Sequence, residues 1–425
     1  MNPQNQGVMD QSLENPPSGN TDQMGKRSLS ARPAVHISIL LVLSATHLLN
    51  DLIQSLIPAV YPIIKESYAL DFMQVGMITL FFQISGSLLQ PVIGWWTDRR
   101  PAPYSPVVGM GFTLSGLLSL AYASSYEGIL MAVVLIGIGS SIFHPEATRM
   151  ARYASGGRQG LAQGIFQVGG QFGGALGPVF AALIIVPWGQ SSLAWFSVAS
   201  LVAILLMFWT GGKQTRISRE FALLKPRAKG ATGDRQAYAR STIVIGLVVL
   251  TILMFSKNAY SESFRSFYTF YLIGKFGLSI PASQMMLFVF LFSAAVGVLL
   301  GGIVGDRIGR YRIIWISVLG PLPLTLLLPY ADLFWTGVLT IMINLIMASA
   351  FASILIYAMD LLPNRIGLIG GLFYGLNFGL GGLAAALLGS LADRYGINTV
   401  YMICSFLPLA GLLAWFLPRL DEAKG

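Results

Sequence analysis

Twelve apolar stretches follow one another along the chain, each long enough for a membrane helix. They lie at about 34–57, 72–97, 105–126, 128–150, 160–187 and 191–210, then at about 241–271, 283–306, 312–331, 335–361, 366–391 and 398–417. About 20 apolar residues in an α-helix cross the hydrocarbon of a bilayer, and only a helix or a closed barrel satisfies its backbone amides there. No period-two alternation runs through these stretches, which argues against a transmembrane barrel. The pattern predicts an all-α integral membrane protein of twelve helices. A polar segment at 211–240, rich in Lys, Arg, Gly and Pro, separates an N-terminal six-helix unit (34–210) from a C-terminal one (241–418). Polar tails flank them at 1–33 and 419–425. The first tail has no apolar core ahead of a cleavage site, so it reads as a disordered cytoplasmic extension rather than a signal peptide.

Composition agrees: 54% of residues are hydrophobic and 11% charged, too few charges for a surface facing water. The net charge of +9 suggests nucleic acid, but the basic residues sit in short loops with no basic face or interleaved aromatics. Their distribution sets orientation instead. The tails and even-numbered loops hold 22 of the 27 Lys and Arg, whereas the odd-numbered loops hold only Lys65, Lys275 and Arg394. By the positive-inside rule both termini are cytoplasmic. The single cysteine, Cys404, excludes an internal disulfide or a CxxC redox pair.

The halves repeat each other. Gly94-x-x-x-Asp98-Arg99 returns as Gly302-x-x-x-Asp306-Arg307, and Arg158-Gln-Gly160-Leu161 returns as Arg365-Ile-Gly367-Leu368. Both pairs fall at expected cytoplasmic helix junctions with nearly one offset, as in a duplicated six-helix unit. Six helices is an even number, so the repeats run parallel, related by an axis along the membrane normal.

Charged side chains inside the spans select the helices that line the interior, because a charge in hydrocarbon costs at least about 2.5–3.5 kcal/mol. Asp51 lies on helix 1, Glu146 on helix 4, and Lys257, Glu262 and Arg265 on helix 7, while Asp360 lies near the end of helix 10. Helices 3, 6, 9 and 12 have cores without ionisable or amide residues; helices 2, 5, 8 and 11 carry amides such as Gln83, Gln167, Gln284 and Asn377. Helices 1, 4, 7 and 10 are thus expected around a central cavity, with 3, 6, 9 and 12 against lipid.

On helix 1, His47, Asp51 and Gln54 are spaced four and three apart and share a face, with Asn50 beside them. An imidazole next to a carboxylate can hold or pass a proton near neutral pH; a buried pair tying two helices together uses the same residues. Helix 4 carries His144-Pro145-Glu146, where the proline removes a backbone donor beside two titratable groups. A stabilising pair of Glu146 with Arg149 is the alternative. Asp51, His47, Glu146 and His144 are the proton-coupling candidates. Lys257, Asn50, Gln54, Gln167 and Asn377 are the substrate-binding candidates, Lys257 as the cation for an anionic compound. Glu262 and Arg265 read as a rim ion pair. Small residues on helices 5 and 11 permit close packing or sliding.

These features resemble the major facilitator superfamily. Its loop signature is met from Gly302 through Asp306, Arg307 and Arg310, while the copy at Gly94 to Arg100, with Asp98 and Arg99, departs from it at Pro101. Helix 5 is similar to the superfamily's antiporter signature, reading Gly164-x8-Gly173-x3-Gly177-Pro178, with Ala181-Ala182 in place of the closing glycines. His47-Leu-Leu-Asn50-Asp51, Phe143-His144-Pro145-Glu146, Ala154-Ser-Gly-Gly-Arg158 and Phe255-Ser-Lys257 are similar to the fosmidomycin-resistance transporters. The resemblance implies a bacterial inner-membrane protein, a monomer, that exports a small polar or anionic toxic compound such as the phosphonate fosmidomycin. Protons would drive it, with no cofactor or bound metal. Asp98, Arg99, Asp306, Arg307, Arg310, Gly173, Gly177 and Pro178 would serve gating.

A symporter or uniporter for a sugar or organic anion is the rival within transport. A membrane-embedded enzyme is opposed by the sequence: three histidines, no HExxH, no GxSxG elbow, and no glycine-rich nucleotide loop after a strand.

Overall fold

The computed structural model describes residues 35–100, 102–156, 159–224, 239–350, 353–354, 357–358, 361–362 and 366–418. Arg158, Asp360 and Arg365, and the side chains of Asp98, Arg99, Asp306, Arg307 and Asn377, lie outside the described residues. The principal helices are α1 (Ile37–Ala59), α2 (Phe72–Arg99), α3 (Ser105–Ala121), α4 (Tyr126–Tyr153), α5 (Gln159–Phe180) and α6 (Ser197–Leu224). The second set is α7 (Arg240–Phe276), α8 (Ile280–Ile308), α9 (Arg310–Leu319), α10 (Leu333–Ala348), α11 (Ile366–Tyr395) and α12 (Ile397–Cys404). Each coincides with one predicted apolar stretch. Among the described residues nine helical runs are long and apolar enough to cross a membrane, α3 and α10 are shorter apolar helices, and α11 spans 30 residues.

Local chemistry sets several ends. Asp71 accepts from the Gln74 amide while the Gln74 side chain accepts from the Asp71 amide, a capping box that starts α2. Ser125 and Asp332 cap α4 and α10 by accepting from the Gly128 and Trp335 amides. α8 and α9 meet at Gly309, whose φ of 89° few residues other than glycine adopt. The loop signature supplies that glycine in the second half and not in the first.

Two segments depart from the apolar pattern. α6 continues to Leu224, so 211–224, read from composition as linker, is helical. Straight-chain Lys and Arg are good helix formers, and Lys213 Nζ lies 3.5 Å from the centre of the Trp209 ring. α5 passes at Ala181–Ile185 into a π-helical turn, one turn beyond Pro178, whose missing amide already interrupts the hydrogen-bond ladder.

Glycine stripes bring backbones together. A Cβ built on Gly169, Gly173 or Gly177 of α5 would fall within 2.2 Å of Ser44 O, Leu48 O or Ser55 Oγ of α1, so these positions hold α1 and α5 in backbone contact. The same device joins α2 to α11, where Gly76 meets Ala385 O and Gly389 meets Phe72 O. Large apolar side chains of α6 and of the α12 region, such as Leu205, Phe208, Phe406, Leu412 and Trp415, stay exposed, as on a surface against lipid.

The apolar core is distributed unequally between the two ends. At the end bearing the α1–α2 and α7–α8 connections, one continuous cluster spans both halves: Leu56, Ile78, Leu117 and Ile136 with Phe264, Tyr268, Phe290 and Tyr401. At the opposite end each half has a core of its own. Leu40, Met110, Phe143 and Met150 form one, and Leu250, Leu253, Ile314 and Leu361 the other. The halves are fused at the first end, called here the sealed end, and packed separately at the second.

Candidate functional site: a carboxylate between two imidazoles

Beneath the sealed end, α1 and α4 bring five sequence-selected residues together. Asp51 sits between two histidines: His47 Nε2 is 3.2 Å from Oδ2 and His144 Nε2 is 3.5 Å from Oδ1. Asn50 donates to Oδ1 at 3.0 Å and Gln54 at 3.3 Å. Ser140 of α4, which the sequence reading did not select, donates to Gln54 Oε1 at 3.1 Å and so ties α4 to the same network.

The imidazoles are oriented by backbone. His47 Nδ1 lies 2.9 Å from the Phe166 carbonyl of α5, and the ring stacks on Phe166 with centroids 4.1 Å apart and planes at 17°. A carbonyl only accepts, so Nδ1 carries a hydrogen. Nε2 then faces a carboxylate that also only accepts when ionised. The 3.2 Å contact is a hydrogen bond only if one proton resides in it, on Nε2 or on Oδ2. His144 repeats the arrangement, with Nδ1 3.0 Å from the Ser140 carbonyl. Gly170 of α5 makes room: a Cβ there would lie 2.4 Å from His47 Nε2 and 2.8 Å from Asp51 Oδ2.

The cluster is buried on one side and open on the other. The His47 side chain is 4% exposed, those of Asp51 and His144 25% and 20%.

Other candidates sit elsewhere. Glu146 is buried and accepts from Arg149 Nη1 at 2.7 Å, while Arg149 Nη2 donates to Gly94 O. It borders a pocket with Pro103, Pro106, Met207 and Gln214, on the α3–α6 side and not in the Asp51 cluster. Lys257 is buried, and among the described residues its ammonium donates to Ser317 of α9 at 3.4 Å. Gln167 is half-buried on α5 and Arg310 half-buried at the start of α9.

A second polar group bridges the halves nearer the sealed end. Glu262, read from sequence as one member of a rim ion pair, is buried and accepts from Ser266 at 2.8 Å and, across the halves, from Gln83 of α2 at 3.0 Å. Ser266 also contacts Thr79 of α2, which contacts Tyr61 at 2.7 Å. At the rim, both carboxylate oxygens of Asp393 on α11 accept from the Phe72 and Met73 amides at the N-terminus of α2, each at 2.7 Å, a favourable place for negative charge. Neither cross-half partnership leaves a signal in sequence spacing.

A helical bundle with a partly exposed polar cluster between its helices, halves fused at one end and exposed apolar surfaces defines a multi-pass membrane transporter. The chain belongs to the Major Facilitator Superfamily, whose family model matches residues 43–386. It is 52% identical over 396 residues to the "Fosmidomycin resistance protein" of Escherichia coli (strain K12), covering 93% of this chain and 96% of that one. It is 38% identical over 381 residues to the "Uncharacterized MFS-type transporter YfnC" of Bacillus subtilis (strain 168), covering 89% and 92%. Among solved structures, the xylose transporter XylE from E. coli superposes with a TM-score of 0.70 at 14% identity, over 91% of this chain and 99% of that one. The nucleoside transporter NupG superposes with 0.69 at 12% identity, over 89% and 97%. At such identities the likeness is one of fold.

Proposed function

We propose that the chain is a proton-driven exporter of a small anionic toxic compound, of the phosphonate class, in a bacterial inner membrane. Both termini lie in the cytoplasm, by the bias of basic residues. On that orientation the sealed end is periplasmic, and the cluster opens to the cytoplasm in a substrate-loading state. The 52% identity to a fosmidomycin resistance protein over nearly the whole chain supports the direction and cargo. The observation that carries the mechanism is the Asp51 carboxylate held between His47 Nε2 at 3.2 Å and His144 Nε2 at 3.5 Å.

Exchange follows from that geometry. When the path opens outward, the cluster takes up a proton from the periplasm; when it opens inward, the proton leaves and an anion can enter. Charge separates the two states, because an ionised Asp51 is costly to occlude and a neutralised one is not. Lys257, the buried cation of α7 in the C-terminal half, supplies positive charge for the anion. The chain works as a monomer, since each half contributes surface to one central path, and it needs no cofactor.

Asp51→Asn tests this reading. In everted vesicles the variant inserts and folds but exports fosmidomycin at a few per cent of the wild-type rate, and an imposed pH gradient no longer accelerates it. Undiminished gradient-dependent export by that variant would overturn the assignment. Alkalinisation, rather than acidification, of the external medium when substrate enters would favour symport over antiport.

A further inference from the structure

We propose that His47, Asp51 and His144 form a binding site for a divalent transition-metal ion of the zinc class, which the ion occupies in exchange for the proton. No spacing along the chain marks a metal site, because His144 is remote from the other two residues. The proposal rests on the proton reading only in sharing its residues; metal binding is a separate equilibrium.

The ligand atoms are already gathered. One ligand atom from each of His47, Asp51 and His144 lies within 4.8 Å of the other two, with nitrogen–oxygen separations of 3.2 Å and 3.5 Å. Ligand atoms about 2.0–2.1 Å from zinc in a tetrahedral site stand about 3.3 Å apart, so small side-chain shifts close the shell. Both rings also have the required tautomer. Each Nδ1 faces a backbone carbonyl, Phe166 O or Ser140 O, which keeps the hydrogen there and leaves Nε2 as the metal-facing lone pair. A backbone acceptor on the non-ligating nitrogen is the usual support of a metal-bound histidine. Asn50 and Gln54 fix the carboxylate by donating to Oδ1, and the Phe166 stack fixes the first ring.

The donor set selects the ion. Two imidazoles and one carboxylate suit zinc and its first-row neighbours, whereas magnesium and calcium prefer an all-oxygen shell. Three protein ligands leave a fourth position open, and the 25% and 20% exposure of Asp51 and His144 puts that position towards the cavity. An oxyanion such as a phosphonate could fill it. Ion entry expels the proton between His47 and Asp51, so one proton leaves for each ion bound.

The test uses the purified full-length chain in detergent, with any affinity tag removed. Cobalt(II) is the probe, since its visible absorption reports tetrahedral coordination, and zinc is the competitor. The expected result is one cobalt per chain, displaced by zinc, with affinity falling about tenfold for each pH unit lowered, as one displaced proton per ion requires. His47→Ala and His144→Ala should each weaken binding at least about tenfold, while His36→Ala and Cys404→Ser leave it unchanged. No tetrahedral band, or a band that survives both cluster substitutions, overturns the proposal. The pH dependence and zinc competition of the unaltered chain keep the test decisive if a variant fails to fold. A chain that exports fosmidomycin but binds no cobalt loses the metal site alone. A chain that binds cobalt while its Asp51→Asn variant exports normally keeps the metal site and loses the proton reading.

Discussion

Gly170→Ala adds one methyl group at the point where α5 passes the cluster. Its Cβ would stand 2.4 Å from both Cε1 and Nε2 of His47 and 2.8 Å from Asp51 Oδ2. Non-bonded contacts settle near 3.5–4.0 Å, so the imidazole must retreat by about 1 Å or α5 must withdraw from α1. The ring cannot retreat freely, because Phe166 both stacks on it and accepts its Nδ1 hydrogen. Nor can α5 withdraw freely, because Gly169 and Gly173 hold it against the Ser44 and Leu48 carbonyls. Overpacking of this kind costs about 1–3 kcal/mol, which is about 5- to 150-fold in an equilibrium at 1.4 kcal/mol per decade. Initial rates of pH-driven fosmidomycin export in everted vesicles should fall within that range. Gly174→Ala, whose Cβ meets nothing within 4 Å, is the control and should export normally with equal or higher thermal stability. Gly170→Ala export within twofold of wild type would refute the claim that the spacing of His47 and Asp51 sets the rate.

Two further outcomes follow from the placement of the other buried carboxylates. Glu262→Ala removes the acceptor for Gln83 across the halves; a hydrogen bond to a charged group is worth about 1.5–3 kcal/mol, so the outward-open population should rise about tenfold or more. Spin labels on Ser67→Cys and Ser279→Cys, in a Cys404→Ser background, would show this as a longer distance component, and an unchanged distribution would remove Glu262 from the seal. Glu146→Gln should lower thermal stability by about 1.5–3 kcal/mol through loss of its charged bond to Arg149, yet leave the pH profile of export in place. A shifted profile would return Glu146 to the proton path.

Much of this protein is readable from its sequence. The apolar spans and the shared face of His47, Asp51 and Gln54 follow from length and the helical repeat, which are properties of a single segment. The sequence reading grouped His144 with Glu146 as proton-coupling candidates, but residues two apart point in different directions on one helix, and in the fold one meets Asp51 while the other meets Arg149. Tertiary structure alone decided the rest. It set His144 against Asp51, gave Glu262 a partner in the opposite half, turned Lys257 towards Ser317 and placed the Gly170 backbone beside the cluster. It also decided that the two halves share a core at one end and separate at the other. Those facts depend on which helix face meets which across 50 to 300 residues of chain. That choice is made by backbone contacts at glycines, such as Gly173 on Leu48 and Gly389 on Phe72, and no periodicity within one helix records its neighbour.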